Sequence, residues 1–292
     1  MDRKDLALKF WDRSGYFSTE EYKEYARNFL LQKIREDVGK KDLTADALNT
    51  SEKHATAEII AKEEGIVAGL EEISLLPGIQ MLFNKKDGDP IKKGESILTL
   101  KGNLRTLLSY ERTMVNCLKR MSGIATATQN LRNRISKACH VLGTRKTLWG
   151  TMDKKAMHIG GALTHRLALD DGILIKENYL EKDIKKTLEA ISKNADFIEI
   201  EVRTKEHALD AAETVSGLNR NVALLLDNLP PQTIKEVISK INSTYRNILL
   251  EASGNITDSN ITEYAETGVD AVSLGFLTHS VKALNLSMRM VG

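Results

Sequence analysis

The hydrophobic residues in the second half of the chain occur in short, nearly continuous runs separated by segments with helical spacing. The runs are CHVLGT (139–144), ILIK (173–176), DFIEIEV (196–202), VALLLDN (222–228), NILLEASG (247–254) and DAVSLG (270–275). The helical segments between the later runs are 183–193, 205–216, 231–242 and 258–267. Runs without polar alternation predict strands that are buried on both faces, and their alternation with helices predicts a parallel sheet.

An open doubly wound sheet and an α/β barrel would both produce this alternation. No GxGxxG motif follows any of the runs, which argues against a dinucleotide-binding sheet. Each run ends in a polar residue or a glycine or lies directly next to one, which suits loops that converge on the mouth of a barrel. The pattern therefore favours an α/β barrel.

The first half of the chain has a different pattern. Apolar residues at helical spacing predict an amphipathic helix over 17–38 that stops at Gly39. Between 54 and 102, short β-like runs separated by Gly, Pro and Asp-Gly-Asp turns predict a small α/β domain. Residues 103–137 form a long helical pattern, which Gly123 is expected to interrupt. We therefore expect two domains linked by this helical segment.

Composition and charge narrow the class of protein. With 292 residues the chain is long enough for two domains with their own cores. Its 42 basic and 40 acidic residues leave a net charge of +2, which calls for neither nucleic acid nor a membrane as a partner. Cys117 and Cys139 form no CxxC motif, Met1–Phe10 does not resemble a signal peptide, and no apolar run reaches the roughly 18 residues of a membrane span. We expect a cytoplasmic protein. Any cationic site must come from a local cluster of basic residues, because the chain as a whole is nearly neutral.

Charged residues and glycines follow the predicted strands. The carboxyl ends of parallel barrel strands meet at one mouth, where functional residues lie. The residues at these ends and in the intervening GGALTHR segment are Arg145, Lys146, His165, Arg166, Lys176, Glu201, Asp227, Glu251, Ser253, Gly254 and Gly275. Several arginine and lysine side chains at one mouth indicate a polyanionic substrate with carboxylate or phosphate groups.

Two carboxylates and two glycine turns refine this hypothesis. The Ser253-Gly254-Asn255 turn and Gly275 each precede a helical segment, as in the phosphate sites of many barrels, and so they indicate a phosphosugar. Glu201 and Asp227 would then hold ribose hydroxyls or a Mg²⁺ ion that bridges pyrophosphate.

The same residues lie in motifs that resemble the quinolinate phosphoribosyltransferase family, also called nicotinate-nucleotide pyrophosphorylases (carboxylating). The similarity runs from about Ile34 to Arg289. The motifs are EDVGKKDLT (36–44), AKEEGIVAG (61–69), ERTMVNCLKRMSGIAT (111–126), GTRKT (143–147), GGALTHRLALDDGILIKENY (160–179), IEIEV (198–202), LLLDN (224–228), LEASGNIT (250–257) and VSLGFLTHS (272–280). Each motif alone would be weak, but together they are specific.

The resemblance implies a fold, a reaction and an assembly. The fold is an N-terminal α/β sandwich domain over 1–115 and an incomplete α/β barrel of about seven strands over 116–280, with 281–292 returning to the first domain. In the reaction, quinolinate and 5-phosphoribosyl 1-pyrophosphate give nicotinate mononucleotide, pyrophosphate and CO₂, a step of NAD biosynthesis. The implied cofactor is Mg²⁺, and the implied working unit is at least a homodimer.

The resemblance also assigns roles to residues. Arg145, His165, Arg166 and Lys176 would bind the quinolinate carboxylates and the neighbouring phosphate, with Thr144 and Lys146 beside them. Glu201 and Asp227 would hold the ribose and Mg²⁺, and they form the implied catalytic set with Lys146. Ser253, Gly254, Asn255 and Gly275 would hold the 5-phosphate, and Glu251 would also face the substrate. Arg112, in the ERT motif, would reach into the barrel mouth of the partner subunit.

This chain departs from the family pattern in one loop. After TRKT the family continues Thr-Pro-Gly-Leu-Arg, whereas this chain has Leu148-Trp149-Gly150-Thr151-Met152. Trp149 would either pack beside the pyridine ring or fill the gap between loop and helix. Asn255 replaces a usual glycine, and asparagine is the residue that best tolerates a positive φ after glycine.

Other interpretations stay open at this point. His165 alone is also typical of a core histidine, and Glu251 could be a structural partner of Lys176 or Arg145. A pyrophosphorylase-like relative linked to molybdenum transport would keep the fold with a different aromatic acid, although Lys176 argues against it. A non-catalytic phosphate-binding barrel is another alternative. Nucleic-acid docking through the Lys pairs near Lys85 and Lys92 is disfavoured because neighbouring Asp and Glu balance them.

Overall fold

The computed structural model describes residues 3–47, 50, 53–176, 187–188, 191, 197–217, 221–245 and 247–291. The chain divides into two compact units. The barrel unit is made of Met1–Arg13, Asn130–Lys154 and Gly161–His279, and the sheet unit of Ser14–Gln129, Lys155–Gly160 and Ser280–Gly292. Compared with the division expected at 115 and 280, residues 1–13 group with the barrel unit, and residues 116–129 and 155–160 group with the sheet unit.

The sheet unit is built on four antiparallel strands. They are β1 (His54–Ala61), β3 (Ile79–Phe83), β5 (Ser96–Asn103) and β12 (Leu286–Val291), in the order β12-β1-β5-β3, while β2 (Gly65–Ile66) pairs with β4 (Pro90–Ile91). The helices are Glu20–Val38, Leu43–Ala47, Leu70–Ser74 and the long helix Leu104–Arg132, which begins here, with a 3₁₀ turn at Ser14–Ser18. Because β12 pairs with β1, the C-terminal segment belongs to this unit.

Glycines mark a helix end and a close approach in this unit. The helix predicted over 17–38 begins at Glu20, after the cap Thr19, and Gly39 follows its end with a φ of 63°. The interruption expected at Gly123 is wrong, since the long helix continues through it. A Cβ at Gly123 would lie 2.3 Å from the carbonyl oxygen of Lys282, so this glycine lets another backbone segment approach the helix.

The barrel unit is built on six parallel strands. They are β6 (His140–Gly143), β7 (Ile173–Ile175), β8 (Ile198–Val202), β9 (Val222–Asp227), β10 (Ile248–Ser253) and β11 (Ala271–Leu274), in the order β6-β11-β10-β9-β8-β7. Each lies within one of the predicted runs. Beyond β6, an isolated parallel bridge joins Leu142 to Leu163. The described residues therefore form an incomplete α/β barrel, with six strands and one bridge where about seven strands were expected.

The helices of the barrel unit follow the strands, as predicted. They are Thr151–Ile159, which begins in this unit, Lys205–Ser216, Pro231–Thr244, Ile261–Ala265 and Phe276–His279. The helix predicted over 183–193 falls largely outside the described residues. In the part of the chain that the structure describes, no helix is both long enough and apolar enough to cross a membrane.

The N-terminal helix Arg3–Trp11 packs against the inner face of the barrel. Its buried residues share one apolar cluster with the strands, made of Leu6, Ala7, Phe10, Trp11, Leu142, Leu163, Phe197, Ala223, Leu249 and Ala271. Side chains two residues apart on a strand lie on the same face. Ala223, Leu249 and Ala271 each precede by two residues a side chain that lines the cavity described below, so the helix fills the barrel beneath that cavity.

Removing the Phe10 ring is expected to open this packing. The ring is 3% exposed and stacks on Phe197 with the centroids 4.6 Å apart. We expect Phe10→Ala to lower the free energy of unfolding by about 3–5 kcal/mol, as is usual for a buried phenylalanine. Urea denaturation would measure the change, and Lys9→Ala, an exposed position on the same helix, is the control. A loss no larger than that of the control would contradict the packing.

Candidate active site

A cavity of about 590 Å³ opens at the carboxyl ends of the barrel strands. Its lining residues are Thr144, Arg145, Lys146, His165, Arg166, Leu174, Lys176, Glu201, Arg203, Leu225, Asp227, Asn228, Glu251, Ser253, Gly254, Asn255 and Ser273. The lining contains all the site residues predicted from the sequence except Gly275 and Arg112. A Cβ on Gly275 would lie 3.0 Å from Lys146 Cδ, so Gly275 adjoins a lining residue. Arg112 is exposed on the long helix of the sheet unit.

Cations gather on one side of this cavity. Arg145, Lys146 and Lys176 are exposed, whereas Arg166 is 8% exposed and donates from Nη1 to the carbonyl oxygen of Gly172 at 2.9 Å. Burial, followed by the charge of Arg145, lowers the pKa of Arg166. Neighbouring cations that repel one another in this way are stabilised by an anion between them. The cationic side is therefore suited to a ligand with more than one negative charge.

Two carboxylates of the cavity are joined by an arginine that the sequence analysis missed. Arg203 donates from Nη2 to Glu201 Oε1 at 3.0 Å and from Nε to Asp227 Oδ2 at 3.1 Å. Arg203 follows Glu201 by two residues, so the period of the strand could have revealed it. Glu201 and Asp227 lie on the neighbouring strands β8 and β9. Each carboxylate uses only one oxygen for these bonds, and hard oxygen donors of this kind fit Mg²⁺.

His165 lies between two buried carboxylates at the bottom of the cavity. Its Nε2 is 2.8 Å from Glu199 Oε2 and 3.4 Å from Glu251 Oε2. Burial lowers the pKa of His165, but the two carboxylates together raise it to about 9. We conclude that the imidazole is positively charged at neutral pH. Glu251 therefore pairs with His165, not with Lys176 or Arg145 as one interpretation of the sequence had it.

Glu199 is also absent from the sequence predictions, although it stands two residues before Glu201 and so shares its face of β8. It is fully buried, and the Trp11 indole Nε1 donates to its Oε1 at 3.4 Å. Burial and the charge of Glu251 raise the pKa of Glu199, and His165 opposes them. The N-terminal helix thus contacts the ionic group that supports the cavity.

The predicted phosphate turn has an unusual backbone. Gly254 and Asn255 have φ values of 86° and 51°, and Asn228 on the neighbouring strand end has 58°. Asn255 Nδ2 donates to Asn228 Oδ1 at 2.9 Å, and a Cβ on Gly254 would lie 2.4 Å from the same oxygen. Position 254 requires glycine because its φ is positive and because there is no room for a Cβ. Asn255 adopts the positive φ that was expected of it.

The divergent loop after the TRKT motif is tied to the start of the next helix. Asp153 Oδ2 accepts the backbone N–H groups of Leu148 and Trp149, both at 2.9 Å. The Trp149 side chain is half-buried and is not among the described lining residues of the cavity. This placement favours a role in filling the loop over one beside the pyridine ring.

Comparisons with known proteins cover nearly the whole chain. Two family models match it: quinolinate phosphoribosyl transferase, N-terminal domain, over residues 42–122, and quinolinate phosphoribosyl transferase, C-terminal domain, over residues 124–289. A probable nicotinate-nucleotide pyrophosphorylase (carboxylating) of Methanothermobacter thermautotrophicus is 36% identical over 280 residues, which are 91% of this chain and 99% of the relative. Another from Bacillus subtilis is 39% identical over 267 residues, which are 87% of this chain and 89% of the relative.

A solved structure shares the architecture described above. The nicotinate-nucleotide pyrophosphorylase from Francisella tularensis superposes with a TM-score of 0.82 at 30% identity, covering 92% of this chain and 97% of that one. The model of the C-terminal domain alone spans more than half of the sequence. The chain belongs to the quinolinate phosphoribosyl transferase family.

Proposed function

We propose that this chain is a phosphoribosyltransferase of NAD biosynthesis. It joins quinolinate to 5-phosphoribosyl 1-pyrophosphate and gives nicotinate mononucleotide, pyrophosphate and CO₂. The observation that carries the proposal is a single cavity whose lining combines the cations of Arg145, Arg166 and Lys176 with the carboxylates of Glu201 and Asp227. Membership of the family and the names of its relatives support the same reaction.

The cationic side of the cavity binds the dicarboxylate in this proposal. Arginine forks pair with carboxylates through two hydrogen bonds, and lysine adds a compact charge. Arg145 and Arg166 hold the quinolinate carboxylates, with Lys146 and Lys176 beside them, and the His165 imidazolium, which is paired with Glu199 and Glu251, lies below. A preorganised cationic cavity offsets the repulsion between two anionic substrates before any bond changes.

The acidic side binds the sugar phosphate. Glu201 and Asp227 accept hydrogen bonds from the ribose hydroxyls, and the 5-phosphate binds at the Ser253-Gly254-Asn255 turn. When bound, Mg²⁺ would be held by these two carboxylates and would neutralise the pyrophosphate leaving group. As the bond from the anomeric carbon to pyrophosphate breaks, positive charge grows on the sugar, and the negative charge of Glu201 stabilises it.

The new bond forms between the pyridine nitrogen and the anomeric carbon. The nitrogen then carries a positive charge, so the ring can accept the electron pair that is left when the adjacent carboxylate departs as CO₂. A proton from solvent replaces the lost carboxylate. No further base is needed, which agrees with a cavity whose charged residues are mostly cations.

One assay tests this function. Purified protein is incubated with quinolinate, 5-phosphoribosyl 1-pyrophosphate and Mg²⁺, and nicotinate mononucleotide and CO₂ are measured. We expect both products in equal amounts and no product with EDTA present. Use of nicotinate in place of quinolinate, or no turnover of quinolinate, would overturn the proposal.

The family resemblance also motivates the proposal that the working unit is a homodimer in which Arg112 serves the partner's cavity. Arg112 is exposed and lies outside the described lining of the cavity in its own chain. We expect Arg112→Ala and Lys176→Ala enzymes each to be inactive. Mixed after unfolding and refolding, they should recover roughly a quarter of wild-type activity, because one site in half of the dimers is intact.

The control is each variant refolded alone, which should stay inactive. Size-exclusion chromatography with light scattering establishes that the mixed sample is dimeric. Properly exchanged dimers without recovered activity would show that Arg112 does not act across an interface.

A further inference from the structure

Lys154 is a buried lysine that the proposed reaction does not use. It lies on the helix Thr151–Ile159 and is 1% exposed. Its Nζ donates to three backbone carbonyl oxygens, those of Gly143 at 3.1 Å, Thr164 at 2.8 Å and Arg166 at 2.6 Å. An ammonium group has three N–H donors, so the main chain takes up its whole hydrogen-bonding capacity.

The three carbonyl groups belong to the two segments that carry cations into the cavity. The Gly143 carbonyl ends β6 and lies in the peptide bond to Thr144, directly before Arg145. The carbonyl groups of Thr164 and Arg166 lie on either side of His165. One nitrogen atom therefore ties the end of β6 to the segment that carries His165 and Arg166.

The segment that Lys154 holds has a strained backbone. His165 has a φ of 54°, which is in the left-handed region that residues with a Cβ rarely adopt. Such a conformation persists where surrounding contacts fix it, and it is common at functional sites. Lys154 fixes the carbonyl group on each side of this residue, which makes it a direct restraint on the conformation.

A lysine is a costly way to fill this space. Burial lowers the pKa of Lys154 to about 7, with Arg145 and Arg166 acting in the same direction and Asp171 and Glu251 opposing them. An apolar side chain of similar length would avoid burying a cation, but it would leave three buried carbonyl groups without a donor. The ammonium group is thus matched to the positions of these carbonyl groups.

We propose that Lys154 is a positioning residue of the dicarboxylate site, and that its three hydrogen bonds set the spacing at which Arg145, His165 and Arg166 face one ligand. The inference rests on the proposed function and extends it to a residue outside the cavity lining. Lys154 has no part in holding the phosphate turn after β10, so the inference predicts an effect that is specific to quinolinate.

The chain provides a matched control at the next position. Lys155 is also buried, but its Nζ donates to Glu72 Oε1 at 2.6 Å and to Glu71 Oε2 at 2.5 Å, within the sheet unit. Steady-state kinetics and circular dichroism are compared for Lys154→Met and Lys155→Met. Both variants remove a buried cation, so both test the general cost to the fold.

We expect Lys154→Met to raise the KM for quinolinate at least about tenfold and to lower kcat, because a displacement of about 1 Å at reacting groups costs up to about 10²-fold in rate. Its KM for 5-phosphoribosyl 1-pyrophosphate should stay within about twofold, because Lys154 does not hold the phosphate turn. Lys155→Met should leave the KM values for both substrates within about twofold, because Lys155 contacts neither segment of the cation site. A folded Lys154→Met enzyme with the wild-type KM for quinolinate would overturn the inference.

A measurement on the wild-type protein decides the matter if Lys154→Met does not fold. At a pH below the Lys154 pKa of about 7, where the ammonium form predominates, its side-chain ¹⁵N signal should be visible because its protons are protected from exchange. The signal should shift when quinolinate saturates the protein, while the Lys155 signal stays in place. An unchanged Lys154 signal in an enzyme that turns over quinolinate contradicts the positioning role alone. A wild-type protein that neither binds nor turns over quinolinate overturns the proposed function, and this inference with it.

Discussion

Replacing Arg145 with alanine is expected to lower kcat/KM for quinolinate by about 10²–10⁴-fold. A bidentate pair with a carboxylate contains two charge-assisted hydrogen bonds of about 1.5–3 kcal/mol each, and each 1.4 kcal/mol corresponds to a factor of about ten. Arg145 is exposed at the mouth of the cavity, so its loss should leave the fold intact. Steady-state kinetics with both substrates varied would measure the effect.

Two further variants show whether charge or shape matters. Arg145→Lys keeps the charge but loses the planar fork, and we expect a loss of about tenfold for a bidentate contact. Arg134→Ala is the control, because Arg134 is an exposed arginine of the same unit whose Nη1 donates to Asp258 Oδ1 at 2.6 Å, away from the cavity. Equal activities for Arg145→Ala and Arg134→Ala would remove Arg145 from the substrate site.

The barrel interior is arranged in three layers. The lowest is the apolar cluster that contains Phe10 and Ala223. Above it lies the ionic group of His165, Glu199 and Glu251, and above that the open cavity. The apolar cluster supports the ionic group, and the ionic group in turn forms the floor of the cavity.

The sequence predicted the upper layer well because one rule governs it. Charged residues at the ends of apolar runs converge once the runs form a parallel barrel, and this holds whatever the details of packing. Arg145, Glu201 and Asp227 could therefore be grouped without knowledge of the structure. The same strand period would have added Arg203 and Glu199, which stand two residues after and before Glu201.

Other features depend on contacts between distant segments, and no local pattern reveals those. The sequence alone would place Lys154 on the surface of a helix. Only the three carbonyl groups around its Nζ in the structure show that it is a buried hydrogen-bond donor. The sequence predicts a helix break at Gly123, and only the approach of the backbone at Lys282 explains why a glycine stands there. The N-terminal helix has nine residues, which is too short a window for its buried side to stand out.

Replacing His165 with alanine is expected to destabilise the protein by about 3–5 kcal/mol at pH 7, because it leaves two buried carboxylates without their cation. A carboxyl group normally has a pKa near 4.3, so keeping a proton on one at pH 7 costs about 1.4 kcal/mol per pH unit above that value. In the variant, Glu199 and Glu251 must take up protons to stay buried. Urea denaturation at several pH values would measure the deficit relative to the wild type.

The pH dependence of this deficit separates charge from packing. In the variant the pKa of the buried carboxyl groups is raised above its unfolded value, so the penalty is full above the folded value and is lost as the pH falls from there to the unfolded value. We therefore expect the deficit to shrink between pH 7 and pH 5, whereas a cavity left by the missing ring would cost the same throughout. His54→Ala, at an exposed position, should change stability by less than about 0.5 kcal/mol. A deficit independent of pH would mean that His165 is a neutral packing residue. The distances of 2.8 and 3.4 Å from its Nε2 to the Glu199 and Glu251 carboxylates argue against that interpretation.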